Sequence, residues 1–316
     1  KFKINFIFLL FILINFIMNK NYCDIVIFGS GLSAKTMALV ARNAGLSFKI
    51  ITDKNFANKI NDDTRSLALS VASKKMLQVL GVNIKAEAVK KMIVFEGGLG
   101  DEKIKSRLTF DKELVDEDIA FIAEHSVIEK SLDRALKLKD DELVKEEKIK
   151  TQKDKDNTRI TFKNKKSLSC KVVIFTEILN SEFQKMYNVN YNFFEYGQTA
   201  ISATLRHSKN HKGYAFQFFQ KNGPLALLPM NNKRGNNYSS LVWTEKTDNI
   251  PSLLSSKKSL EESLNNLCSD YLGKITISKG PSSFILKKLT GIKSVSNNAI
   301  FVGDAIRAMH PMAGQA

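Results

Sequence analysis

The stretch of the 316-residue chain with the most chemical content is Gly29 to Ala34, GSGLSA, with Asp53 standing 24 residues after Gly29. Gly29 permits a tight turn, and Gly31 lets the backbone approach a pyrophosphate. Ala34 fills the third small position, where a helix packs closely on a strand. A helix that starts here points free N–H groups at phosphates. Asp53, at the end of the following strand, is placed to hold ribose hydroxyls. A second Gly-Asp pair, Gly303 and Asp304, ends a late apolar run, and ligands of open α/β sheets bind at such strand ends. Arg65 is either a surface arginine or a cation set near the phosphates of a cofactor. His125, His207 and His211 have no carboxylate at a suggestive spacing and read as ordinary polar residues. Cys23, Cys170 and Cys268 lack any CxxC spacing, which argues against a zinc site or a disulfide framework and for a reducing compartment. Trp243, the single tryptophan, reads as sheet packing.

The elements that must position these residues follow from patterning. Residues 24–28 (DIVIF) form a short β-branched run expected as a buried parallel strand. A helix is expected over 35–44 with Gly45 closing it, then a strand over 47–52. The order is strand, glycine turn, helix, strand, acid. Over 62–82, Leu67, Leu69, Val71, Met76, Leu77 and Leu80 suggest a helix with one buried face, ended by Gly81. A strand is expected at 91–97 and an amphipathic helix at 126–138. The charge-dense segment 139–157 reads as a solvated hairpin or loop. Strands follow at 159–162 and 171–175, the second rejoining the parallel sheet. From 196 to 244 the alternation predicts antiparallel strands with turns at Gly213, Gly223 and Gly235. A helix over 257–272 and a strand over 299–305 complete the pattern.

Composition fits this plan. Hydrophobic residues make up 43% and charged residues 25%, so the chain can bury two sizeable cores. The net charge of +16 invites a nucleic-acid reading, but only eight of the 48 basic residues are Arg and no basic motif gathers them. No nucleic-acid partner is expected. A solvated Lys-rich surface, or attraction to an anionic membrane, suits the excess better. Residues 4–17 are an apolar run behind Lys1 and Lys3, shorter than a comfortable bilayer span. Residues 1–17 are expected to be an untranslated extension, with Met18 as the start, or else a membrane- or signal-like segment.

Four stretches together resemble the FAD-dependent aromatic hydroxylases (class A monooxygenases), and most of all the ubiquinone-biosynthesis hydroxylases. They are GSGLSA with Asp53, DTRSLALSVASKKMLQVLGV at 63–82, the region from YGQTA at 196 through LVWT at 244, and GDAIRAMHPMAGQ at 303–315. The resemblance covers roughly residues 22–316. It implies an α/β fold: a Rossmann-like FAD-binding domain plus a smaller α+β substrate domain with an antiparallel sheet. The FAD-binding domain is expected at 18–83, 111–182 and 288–316, with its C-terminus missing, and the substrate domain at 84–110 and 183–287. The implied activity is hydroxylation of a prenylated phenol in ubiquinone biosynthesis, using NAD(P)H and O₂ through a flavin C4a-hydroperoxide. By the same resemblance Gly29, Gly31, Ala34 and Asp53 hold the ADP half of FAD. Arg65 lies near the pyrophosphate or flavin edge, Gly303 and Asp304 near the ribityl or phosphate region, and His310, Pro311 and Gly314 line the flavin. Location in the cytoplasm is implied, with peripheral contact to the inner membrane and to other quinone-biosynthesis enzymes.

The chain departs from the family pattern in two places. Arg307 stands where the family has His. The family's ADGxxS appears as Thr176, Glu177, Ile178, Leu179, Asn180 and Ser181, so a β-branched side chain replaces a glycine. This segment motivates one alternative, a non-catalytic scaffold subunit of quinone biosynthesis; a related flavin reductase or oxidase without hydroxylation is a further reading.

Overall fold

A computed structural model describes residues 21–52, 63–97, 106–114, 116–145, 149–154, 156–233, 235–291 and 293–309. Asp53, His310, Pro311 and Gly314, and the 1–17 segment, lie outside the described residues. The fold is α/β. The chain divides into two compact units, one drawn from residues 1–59, 132–192 and 289–308, the other from 60–131, 193–288 and 309–316.

The first unit is built on a parallel sheet. Tyr22–Phe28 pairs parallel with Phe48–Thr52 on one side and with Ser167–Phe175 on the other. Ala299–Phe301 adds beyond Ser167–Phe175, and Leu143–Lys145 beyond Phe48–Thr52, both parallel. The apolar, β-branched composition of these strands suits burial on both faces. Three phenylalanines in register, Phe28, Phe175 and Phe301, stack across the central strands with ring centroids 4.9 and 5.6 Å apart. They fix where the three strands end together. The helix Leu32–Asn43 crosses between the first two strands, buries Ala34, Ala38, Leu39 and Ala41, and is closed by Gly45 at φ +71°.

The segment 139–157, expected as a solvated hairpin or loop, does form a hairpin, Ile149–Asp154 with Asn157–Phe162, but it also contributes Leu143–Lys145 to the parallel sheet. Two of its acids have partners, Glu142 meeting Arg42 at 2.6 Å and Asp141 meeting Lys49 at 3.5 Å, and the Glu142 carbonyl accepts the Ile50 N–H. Pairing with sheet neighbours outweighs local polarity here. Cys23 and Cys170 face each other in register and, like Cys268 of the second unit, are free and buried. Burial pushes all three thiols up to about 12, so they are inert.

The second unit carries a large, mostly antiparallel sheet. Tyr191–His207 enters it from the first unit and pairs with Asn236–Lys246, which pairs with Gly223–Lys233, then Tyr214–Gln220. The expected 196–244 strands are present, with the first returning to lie beside the last. Lys91–Glu96 extends the sheet parallel to Tyr214–Gln220. Trp243 is 1% exposed in the core, beneath the helix Lys257–Leu272, which buries Leu260, Leu264, Cys268 and Leu272.

The 62–82 expectation is corrected. Residues Ser66–Leu69 form a strand, paired with Ala120–Glu124, and only Val71–Val79 is helical. Ser70 divides them, its hydroxyl accepting the Ser73 N–H as an N-cap. Residues 63–83, 111–114 and 116–131, placed by expectation with the FAD-binding domain, cluster with the second unit. Strand pairing and the bonds Ser66–Ser240 (2.6 Å) and Thr64–Ser202 (2.7 Å) account for this. Among the described residues no helix is long and apolar enough to cross a membrane.

Candidate cofactor site

The parallel sheet of the first unit ends in a cluster at its carboxyl edge. Immediately after the phenylalanine ladder come Gly29, Thr176 and Val302. Gly29 N–H donates to Ile51 O at 3.0 Å, Thr176 N–H to Phe28 O at 3.0 Å, and Val302 N–H to Phe175 O at 2.9 Å. These bonds hold three strand ends side by side, each leading into a turn.

Gly29 has φ +135°, and a Cβ there would lie 2.1 Å from Thr176 Oγ1 and 3.2 Å from Glu177 Oε1. Thr176 cannot move aside freely, since it is buried and its hydroxyl donates to Phe28 O. Gly303 has φ +59°, and a Cβ there would come within 2.8 Å of Ser33 Oγ. Both glycines are therefore required by the approach of one turn to another. Gly31 differs. It is the N-cap of Leu32–Asn43 in an extended conformation, makes no side-chain cap bond, and a Cβ there would meet nothing within 4 Å.

This geometry leaves an anion cradle. The first intrahelical bond is Lys35 N–H to Gly31 O, so the N–H groups of Leu32, Ser33 and Ala34 point out of the helix start. No acidic residue occupies the first turn. Ala34 is fully buried, packing the helix onto the sheet. A phosphate fits such a helix start.

Glu177 is the functional candidate that reading by motif undervalued. Its carboxylate accepts the Ser30 N–H at 2.7 Å and lies 3.2 Å from the Ser30 hydroxyl, across 147 residues. It braces the glycine turn from the next strand end. Ile178, expected to crowd a glycine position, is instead 50% exposed. Asn180 caps the helix Ser181–Tyr187 by accepting the Phe183 N–H at 2.9 Å. Asp304 lies exposed in a 3₁₀ turn, Gly303–Ala305, at the end of the Ala299–Phe301 strand.

Arg65 belongs to a cluster in the second unit. Its guanidinium forks onto Asp63, Nε to Oδ1 at 2.8 Å and Nη2 to Oδ2 at 2.7 Å. His125 Nδ1 lies 3.1 Å from Asp63 Oδ2. Spacing along the chain points to no carboxylate for His125; the pairing of Ser66–Leu69 with Ala120–Glu124 brings it to Asp63. His207 and His211 make structural bonds, to Lys209 O and Ser239 Oγ, and to Met230 O and the Gly213 N–H. Burial pushes the Asp63 carboxyl up, but the Arg65 hydrogen bonds and charge, with His125, outweigh it and hold it below its ordinary value.

A depressed carboxyl stabilises the fold above its unfolded-state value of about 3.9, and that contribution is lost as pH falls through the lower folded-state value. Asp63→Asn is expected to lower stability at neutral pH by about 1–2 kcal/mol, discounted because Arg65 is half-exposed. Urea unfolding across acidic pH should show a flatter decline for the variant, and an unchanged slope would contradict this role.

No family model matches the chain. It is 26% identical over 301 residues to the ubiquinone hydroxylase UbiL of Rhodospirillum rubrum, covering 92% of this chain and 68% of that protein. It is 24% identical over 310 residues to 3-demethoxyubiquinol 3-hydroxylase of Escherichia coli, covering 94% and 76%. The chain is thus similar, over most of its length, to ubiquinone-biosynthesis hydroxylases. Its fold matches the solved structure of PqsL, a probable FAD-dependent monooxygenase from Pseudomonas aeruginosa, with a TM-score of 0.73 at 16% identity, covering 93% of this chain and 82% of that one. What is shared with that structure is the fold, with a Rossmann-like first unit and an antiparallel second unit.

Proposed function

We propose that this chain hydroxylates a phenol ring of a prenylated ubiquinone precursor, with FAD as cofactor, NAD(P)H as reductant and O₂ as oxygen donor. The observation that carries the reading is the open helix start at Gly31, braced by Glu177, at the carboxyl edge of the parallel sheet. Bound FAD would accept two electrons from NAD(P)H and activate O₂, so that one oxygen atom replaces a ring hydrogen as hydroxyl and the other leaves as water.

The chain's own residues bind and orient. The N–H groups of Leu32, Ser33 and Ala34 would receive the pyrophosphate, with Gly31 clearing its approach. Gly29 and Glu177 hold the turn in shape. By the resemblance, Asp53 would take the ribose hydroxyls, and Gly303 with Asp304 would meet the ribityl region. By the same resemblance His310, Pro311 and Gly314 would line the ring. The net charge of +16 suits peripheral contact with the anionic inner membrane, where a prenylated substrate resides.

The scaffold alternative arose from the altered 176–181 segment. Glu177 bonds the glycine turn and Ile178 faces outward, which favours a working cofactor site. The direct test is product analysis after incubation with NAD(P)H, a prenylated phenol and isotopically labelled O₂. One labelled oxygen in the ring is the expected result. FAD-dependent NAD(P)H oxidation without labelled product would favour a reductase or oxidase instead.

A further inference from the structure

In the second unit, a cavity of about 570 Å³ opens beside the start of the helix Lys257–Leu272, and the groups around it are mostly cationic or hydroxylic. Arg206 lies opposite Tyr238 in the register of two neighbouring strands, and both line it. Lys257 and Lys258, the first two helical residues, also line it. Among the described residues Arg206 and Lys257 have no ion-pair partner, and Lys258 meets only Glu262, at 3.7 Å and well exposed. The one carboxylate lining the cavity, Glu261, already accepts the Ile277 N–H at 2.7 Å. Ser278 adds a hydroxyl. Three cations thus converge on one opening, against a single carboxylate that is already engaged. The first turn of the helix carries no acid, so the helix dipole adds to the same sign.

We infer that this cavity binds a phosphate ester, with Arg206 as the bidentate contact and Lys257 and Lys258 as the flanking charges. Arginine's planar fork matches two phosphate oxygens, while lysines act as point charges. The phosphate could be carried by a lipid headgroup or by a soluble ligand, and the chemistry of recognition is the same.

The test uses the full chain and a triple variant, Arg206→Gln, Lys257→Gln and Lys258→Gln. A control triple with the same change in charge, Lys163→Gln, Lys165→Gln and Lys166→Gln, alters an exposed hairpin of the first unit. The probes are inorganic phosphate, followed by calorimetry, and sedimenting vesicles of phosphatidylglycerol and phosphatidylcholine in equal parts. Circular dichroism and the unfolding midpoint confirm that both variants fold. The cavity triple is expected to weaken binding by about tenfold or more, with the control near the parent. Loss toward both probes assigns the site to a free phosphate group, and loss toward vesicles alone assigns it to a lipid headgroup. Equal weakening by both triples, no effect of the cavity triple, or no binding of either probe by the parent would overturn the inference.

Discussion

Gly29→Ala is expected to lower the stability of the protein by about 3 kcal/mol, the largest effect of any single methyl group at this site. Two costs combine. A φ of +135° is strained for any residue with a Cβ, and the new carbon would lie 2.1 Å from the Thr176 hydroxyl oxygen. That hydroxyl is buried and bonded to Phe28 O, so relief requires the ends of two parallel strands to separate. Denaturant unfolding measures the loss. Adding Thr176→Ala to Gly29→Ala should recover only part of it, because the backbone strain remains. Full recovery would show that the clash alone matters, and an unchanged midpoint for the single variant would contradict the geometry.

Gly31→Val is expected to behave oppositely, only two residues away. Its φ of −77° is ordinary and the position of its Cβ is open. The variant should fold with a loss of about 1 kcal/mol, the cost of a poorer N-cap. FAD affinity should nevertheless fall about a hundredfold or more, because the side chain occupies the space through which a pyrophosphate reaches the helix N–H groups. Fluorescence titration of the folded apoprotein with FAD measures this. Parent-like FAD binding by Gly31→Val would remove the cradle from the account.

The contrast between these glycines also marks how far the sequence could be read. The turn, helix and strand around GSGLSA are local, and their spacing places Gly29, Gly31 and Ala34 without tertiary information. Glu177 was visible only as a departure from a motif. Its bond to Ser30 spans 147 residues and exists because Phe28 and Phe175 are in register on neighbouring strands. His125 and Asp63 are likewise joined by strand pairing, which no spacing along the chain reveals. The strand Ser66–Leu69 was hidden for a different reason. Leu67 and Leu69 fit both a strand face and one side of a helix, and a short apolar run cannot decide between them. Ser70, capping through Ser73, was the local sign of the boundary.

The charged segment at 139–157 shows the limit of composition. Lysines and acids there predict solvation, yet Leu143–Lys145 completes the parallel sheet because its backbone bonds to Phe48–Thr52 and its neighbour Glu142 meets Arg42. The burial of the three cysteines, by contrast, is set by the fold and carries no sign in their spacing.

The most direct test of the central claim is the visible absorption spectrum of the purified full chain, followed by denaturation and identification of what is released. A two-band flavin spectrum, with FAD recovered in solution, is the predicted result. A folded, colourless protein that cannot be reconstituted with FAD would contradict the cofactor site and the hydroxylase reading built upon it.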